Sequence, residues 1–224
     1  SNCHYAHGEE SLVRLPRLRA SDLQSFALRH PTRWRLSSSG PRLGWLITSC
    51  CEGDAIANTL TLVAAGERLL DGKVLCTFGC HPHMYSDYGD DMEAALLRAF
   101  ERSGGKAVGW GECGLDYYKN FYEAQVSERR SRMVEVFARQ ARLAATKGLP
   151  LVVHSRDAEE DTMAVLTAVL PREHPVHVHA FQGSLEMLGE LLCALPNAVV
   201  GVSGAVFGVD SVKRIVRLLP LDRL

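Results

Sequence analysis

The chain has 224 residues, 46% of them hydrophobic, with 25 Lys and Arg set against 26 Asp and Glu for a formal net charge of −1. That length holds one substantial core and falls within the roughly 200–250 residues of a single α/β barrel, so two domains are not required. Near-neutral charge excludes a protein that coats nucleic acid through net charge, although residues 1–42 set Arg14, Arg17, Arg19, Arg29, Arg33, Arg35 and Arg42 against only Glu9, Glu10 and Asp22.

In chain order, "SNCH" reads as the stub of a strand, and the rest of 1–42 is a divergent basic segment, either solvated and irregular or placed to touch phosphates. Its stretch "RHPTRWRLSSSGPR", 29–42, interrupts every pattern. From residue 43 onward short apolar runs alternate with segments of helical spacing. "LGWLIT", "KVLCTFG", "KAVGWGE", "LPLVVH", "HPVHVH" and "NAVVGVSG" predict buried strands. Between them, Asp54 is placed to cap a helix through about Leu70, and Asp90 one that stops before Gly104 and Gly105. The clearest helix runs from Glu123 to Lys147, where Met133, Phe137, Ala141 and Ala144 mark one buried face before Gly148 and Pro150 stop it. Further helices are predicted over 158–170, 184–195 and 210–218. Strand and helix alternating through short connections predict parallel strands with right-handed crossovers. An open doubly wound sheet and a closed β/α barrel both satisfy that pattern, and the lack of G-x-G-x-x-G after the first clear strand weakens the dinucleotide-binding version of the open sheet.

Seven cysteines without a C-x-x-C pair argue against a disulfide framework and for a reduced setting, cytoplasmic or nuclear. No apolar run approaches the ~18 residues of a membrane span and no signal-peptide pattern opens the chain, so a soluble protein without membrane contact is expected.

Three predicted strands end in side chains with chemistry: "AVGWGE" in Glu112, "PLVVH" in His154 and "VHVH" in His179. In a parallel β/α arrangement the C-terminal strand ends share one rim, so a carboxylate and two imidazoles are expected together there. Such a set suits Zn²⁺, Mn²⁺ or Fe²⁺. Singly, a salt bridge explains Glu112 and a core hydrogen bond explains either histidine; the three at equivalent positions favour an ion. His177, two residues before His179, shares its face one layer deeper, where a structural role is favoured.

"GCHPH" at 79–83, "GECGLDYY", a helix, "PLVVHSRDA" and "HAFQG" follow one another in an order and spacing that resembles the TatD family of metal-dependent deoxyribonucleases, over roughly Leu43 to Leu224. The resemblance implies a TIM-type (β/α) barrel of the amidohydrolase-like superfamily, forming a single hydrolase domain over 1–224. It also implies a site for two divalent ions (Mg²⁺, Mn²⁺ or Zn²⁺) and hydrolysis of phosphodiester bonds in DNA. The expected substrates are single strands or DNA ends, cut 3′ to 5′. Carried over, Glu112 resembles the catalytic carboxylate bridging the ions, and His154 and His179 the pair completing one ion's ligands. Arg156 is a candidate for substrate phosphate, with a salt bridge to Asp116 or Asp157 as the alternative. His81 and His83 look like residues that contact substrate or support the ligands, Tyr117 and Tyr118 could stack on a base or pack against the rim, and Asp116 orients a neighbour.

The resemblance departs from the family at both ends. The family commonly opens with H-x-H; here "SNCHYAH" puts Asn2 in the first place and leaves His4 as the remaining candidate ligand, and some members lack the histidine pair and have Asn nearby. The family's last ligand is an aspartate in E-T-D-A-P on the strand after "LPLDRL", and the chain ends at Leu224, so that strand, its helix and that aspartate are expected to be absent. A catalytically impaired relative that keeps the barrel for binding is therefore a second reading. A hydrolase of small substrates such as cyclic amides is a third, weakened by the lack of a strand-end lysine to bridge metals.

Overall fold

The computed structural model describes residues 5–6, 13–14, 21, 45–118 and 126–224. The expected strand stub "SNCH", with His4, lies outside them, as does most of the basic segment 1–42. Strands β3 (Leu46–Cys50), β4 (Val74–Phe78), β5 (Ala107–Asp116), β6 (Leu151–Arg156), β7 (Val176–Val178) and β8 (Val199–Val200) form one sheet in chain order. Two short strands near the start, β1 (Tyr5–Ala6) and β2 (Val13–Arg14), pair antiparallel. The helices between are α1 (Ile56–Leu69), α2 (Asp90–Arg102), α3 (Val126–Lys147), α4 (Glu159–Val169), α5 (Leu185–Ala194) and α6 (Asp210–Leu218). This is the parallel α/β succession expected of part of a TIM-type (β/α) barrel. The described residues divide into two compact units, one holding those up to Phe78 and Asp90–Val108, the other Gly79–Gly89 and Gly109–Leu224.

In the first unit β3 and β4 pair in parallel from Leu46↔Val74 to Cys50↔Phe78. Helix α1 lies close on β4 because Gly66 gives it room: a Cβ there would meet the Val74 side chain. Asp54 does not stand at the N-cap of this helix. It sits inside the 3-10 turn Gly53–Ala55, and the cap position falls on Ala55, which has no side-chain cap. Helix α2 begins with Asp90, Asp91 and Glu93 at its positive end and closes with Arg102, the order its dipole favours.

In the second unit α3 buries Met133, Phe137, Ala141 and Ala144 as their spacing predicts. Helices α4, α5 and α6 fall within a residue of the predicted ranges, and Ser184 caps α5 by accepting from Met187 N–H at 3.0 Å. Strand β5 departs from expectation by not ending at Glu112. It continues to Asp116, pairing Gly114↔His154 and Asp116↔Arg156, after a bulge between Trp110 and Cys113. Its glycines carry it through. Gly111 (φ 137°) and Gly114 (φ 144°) hold backbone angles that side chains resist, and a Cβ on either would run into the backbone oxygen of Val152 or His154. Glycine therefore extends this strand past the Glu112 end that the sequence suggested. Strand β6 likewise runs two residues past His154.

Replacing Gly114 by Ala should cost more than about 3 kcal/mol or prevent accumulation of folded protein, because backbone must move to admit the methyl group. Urea denaturation measures it, and a loss within ~0.5 kcal/mol of wild type would contradict the packing described.

Candidate functional site

The second unit brings together side chains from four segments. Strand β5 supplies Glu112 and Asp116, β6 supplies His154 and Arg156, the loop after β4 supplies His81 and His83, and His179 follows β7 by one residue. Glu112 is 2% exposed. Its Oε1 lies 3.0 Å from His154 Nδ1, and His154 Nε2 lies 3.1 Å from Asp116 Oδ2. The same Asp116 oxygen is 3.0 Å from His83 Nε2. Acid and imidazole thus alternate from buried Glu112 out to the more exposed His83.

Burial opposes a charge on Glu112, but the hydrogen bond and charge of His154, with His179 and His81 beside it, bring its pKa down from 4.5 to about 2. Burial likewise opposes charge on His154, but bonds to Asp116 and Glu112 raise its pKa from 6.5 to about 9. Asp116, despite burial, is held well below the usual carboxylate range by its bonds from His154 and His83. Neighbouring thiols play no part in this: burial pushes Cys80 up to about 12 and raises Cys113 well above the ordinary thiol value, so neither offers a thiolate.

His81 differs from His154. Burial pushes its pKa down to about 3, so the ring is neutral. Its Nδ1 accepts from His83 N–H at 3.1 Å, which leaves the ring proton on Nε2. That Nε2 is buried without a hydrogen-bond partner, 4.0 Å from Glu112 Oε1. His81, Glu112 and His154 have ligand-type atoms within 4.8 Å of one another, the cluster of this kind found among the described residues. In its present tautomer, however, His81 offers a proton and not an electron pair. Glu112 Oε1 and His154 Nδ1 fit a cation best: two donors each about 2.1 Å from one ion stand about 3 Å apart. The carboxylate behind His154 is the usual device for orienting a metal-binding imidazole.

Among the other predicted residues, His179 is half-buried, its backbone N–H bonded to Val153 C=O at 2.8 Å, and it is one of the imidazoles whose proximity lowers the Glu112 pKa. His177 is half-buried on β7, with its ring 6.3 Å from that of His179. Arg156 lies over the Tyr118 ring at 3.5 Å, and Tyr118 is 49% exposed. Tyr117 is buried: its hydroxyl donates to Asp161 at 2.6 Å and Arg130 covers its ring, so the ring open to stacking is that of Tyr118. His4 lies outside the described residues. Sequence reasoning missed Gln140, which is 1% exposed and tied to the backbone of Cys80. Its signal was a polar residue three after Phe137 and four before Ala144, on the apolar face of α3.

Fold and site together define a parallel α/β protein with a carboxylate–imidazole centre at the ends of its strands. Residues 41–224 match the TatD related DNase family, and the chain belongs to that family. It is 37% identical over 170 residues to the human 3'-5' RNA nuclease TATDN2, covering 74% of this chain and 21% of that protein. It is 36% identical over 157 residues to the 3'-5' ssDNA/RNA exonuclease TatD of Erwinia billingiae, covering 68% of this chain and 56% of that one. The crystal structure of YJJV, a TatD homolog from Escherichia coli, superposes with a TM-score of 0.65 at 26% identity, over 81% of this chain and 65% of that one. A TatD family hydrolase from Entamoeba histolytica shares the fold at a TM-score of 0.69 and 20% identity, over 81% and 58% of the two chains. The chain thus spans about half the length, or less, of these curated relatives.

The charge chain makes a pH prediction for metal-stripped protein. His154, raised from 6.5 to about 9, contributes stability in full below pH 6.5 and loses it as pH rises through 9. Glu112, lowered from 4.5 to about 2, contributes above 4.5 and loses it as pH falls through 2. His81, lowered to about 3, also loses stability as pH falls from 6.5, so the alkaline limb is the diagnostic one. Urea midpoints in chelator should fall between pH 6.5 and 9 for wild type and stay flatter for His154→Gln; parallel curves would refute the pairing.

Proposed function

We propose that the protein is a metal-dependent nuclease that hydrolyses phosphodiester bonds in single-stranded nucleic acid from the 3′ end, as one hydrolase domain over residues 1–224. The observation that carries this is the buried Glu112 carboxylate held against His154, with Asp116 behind the imidazole and an unpartnered His81 proton beside it. The expectation from the sequence was DNA. The names of the relatives include RNA, and the proposal covers both.

Glu112 and His154, with His179 close by, are the residues that would hold a divalent ion (Mg²⁺, Mn²⁺ or Zn²⁺), and His4 is the candidate for a second. When bound, such ions supply Lewis acidity toward a phosphodiester and a nucleophile at neutral pH. The chain's own groups do the rest. Asp116 accepts the His154 Nε2 proton, which directs the Nδ1 lone pair toward the Glu112 side. His81 Nε2–H donates to a phosphate oxygen, the partner it lacks within the protein. Arg156 stacks on Tyr118 with the edge of its guanidinium free to bond phosphate, while Tyr118 presents a ring face to a base. Tyr117, locked by Asp161 and Arg130, supports that surface from below. His83 tethers the His81 loop to Asp116. The six cysteines among the described residues are free thiols, five of them buried, which suits a reducing compartment, cytoplasmic or nuclear. No helix among the described residues is long and apolar enough to cross a membrane.

End-labelled single-stranded DNA and RNA, incubated with Mg²⁺ or Mn²⁺ and separately with EDTA, test the proposal. Wild type should shorten strands from the 3′ end only with metal, and Glu112→Ala should lower the rate at least about 100-fold. His154→Ala should lower bound metal measured by mass spectrometry. Intact strands with metal-loaded wild type would overturn the nuclease reading.

A further inference from the structure

Gln140 lies on α3, is 1% exposed, and faces the core among alanines and aromatic rings. A buried amide in such surroundings needs every polar atom met. Its Oε1 accepts from Cys80 N–H at 2.8 Å and from Trp110 Nε1–H at 3.2 Å, and its Nε2 donates to Cys80 C=O at 3.1 Å. The two partners on Cys80 admit only one orientation of the amide, since a flipped group would set donor against donor and acceptor against acceptor.

Those bonds sit where the site is assembled. The Cys80 N–H and C=O are both satisfied by a side chain from a helix sixty residues away in sequence. The next residue is His81, whose Nδ1 takes His83 N–H and whose Nε2 proton points without a partner toward Glu112. Trp110, the third partner, stands on β5 two residues before Glu112. One amide therefore joins the loop that carries His81 to the strand that carries Glu112. At the same place the backbones nearly touch, because a Cβ on Gly79 would stand 2.5 Å from Gly111 Cα.

We infer that Gln140 is a positioning residue that holds the His81 imidazole, through the Cys80 peptide, in the tautomer and orientation that present its Nε2 proton beside Glu112. Without it, Cys80 loses both backbone bonds, the loop is free to rotate, and His81 can trade its bond to His83 for others. The link to turnover rests on the proposed nuclease activity; the link to His81 does not.

The test uses Gln140→Leu, which keeps volume and removes all three bonds, and Gln140→Asn, which keeps the amide but is one methylene too short. If the leucine variant fails to fold, the asparagine variant carries the test. Nitrogen-15 NMR of the metal-free protein reads the His81 tautomer directly, with His174 as a distant internal standard. Wild type should show His81 with the proton on Nε2 alone, and the variants should show mixed or broadened signals while His174 is unchanged. On single-stranded oligonucleotides kcat should fall about tenfold to a hundredfold with metal content unchanged, the scale expected when a group shifts by about 1 Å. A His81 tautomer identical in wild type and folded variants would overturn the inference, whatever happens to the rate. If wild type cuts no nucleic acid, the nuclease reading falls while the NMR result still decides the role of Gln140.

Discussion

A carboxylate with 2% of its surface exposed keeps its charge only if something positive stands beside it, and the arrangement around Glu112 follows from that requirement. His154 answers it directly. His154 in turn needs Asp116, because an imidazole squeezed against a single buried acid would leave its far nitrogen unmet. Asp116 then draws in His83 at the surface. The result is a line of alternating charge in which no member can be removed without orphaning the next. Such a line is a poor bargain for stability alone, since desolvation offsets most of the Coulomb attraction. What the line does secure is geometry: two ligand-type atoms stand 3.0 Å apart, a spacing compatible with a shared cation.

Geometry of this kind demands strands closer than side chains normally permit. Gly79, Gly111 and Gly114 all lie where a Cβ would strike backbone, and all flank the residues of the site. The bulge between Trp110 and Cys113 lies in the same stretch, inserting one extra residue beside Glu112, and the four-residue spacing puts Asp116 on the same face of the strand. Glycine thus serves this centre by absence, admitting the close backbone contact on which the side-chain distances depend.

Much of this was legible in the sequence because it rests on periodicity. The six strands, the buried stripe of α3 and the placement of Glu112 and His154 follow from apolar runs and helical spacing. What was hidden rests on tertiary contact. Strand β5 read as ending at Glu112, and only the pairing with β6 carries it through Gly114 to Asp116. Asp54 read as a cap, but a 3-10 turn carries it one residue short of the cap position. Tyr117 and Tyr118 could not be ranked from sequence, since which ring is covered depends on Arg130 and Asp161 arriving from other helices. Gln140 stood in plain view on an apolar face, yet nothing local says which backbone it meets.

The first turn of α4 shows how the remaining rim is made coherent. Asp161 reaches back to the Tyr117 hydroxyl at the end of β5, while Glu159 reaches forward to Ser184, accepting from its backbone N–H at 2.8 Å and from its hydroxyl. Between them stands the "HSRDA" segment, with His154 and Arg156. Three successive strand ends are therefore tied to one helical turn whose acids also suit its positive end. Acids that would otherwise be read as a solvated helix start instead set the spacing between the end of β5 and the loop that bears His179. A site drawn from separate strands keeps distances near 3 Å only if its loops are bound to each other as well as to the sheet, and these two carboxylates supply that binding.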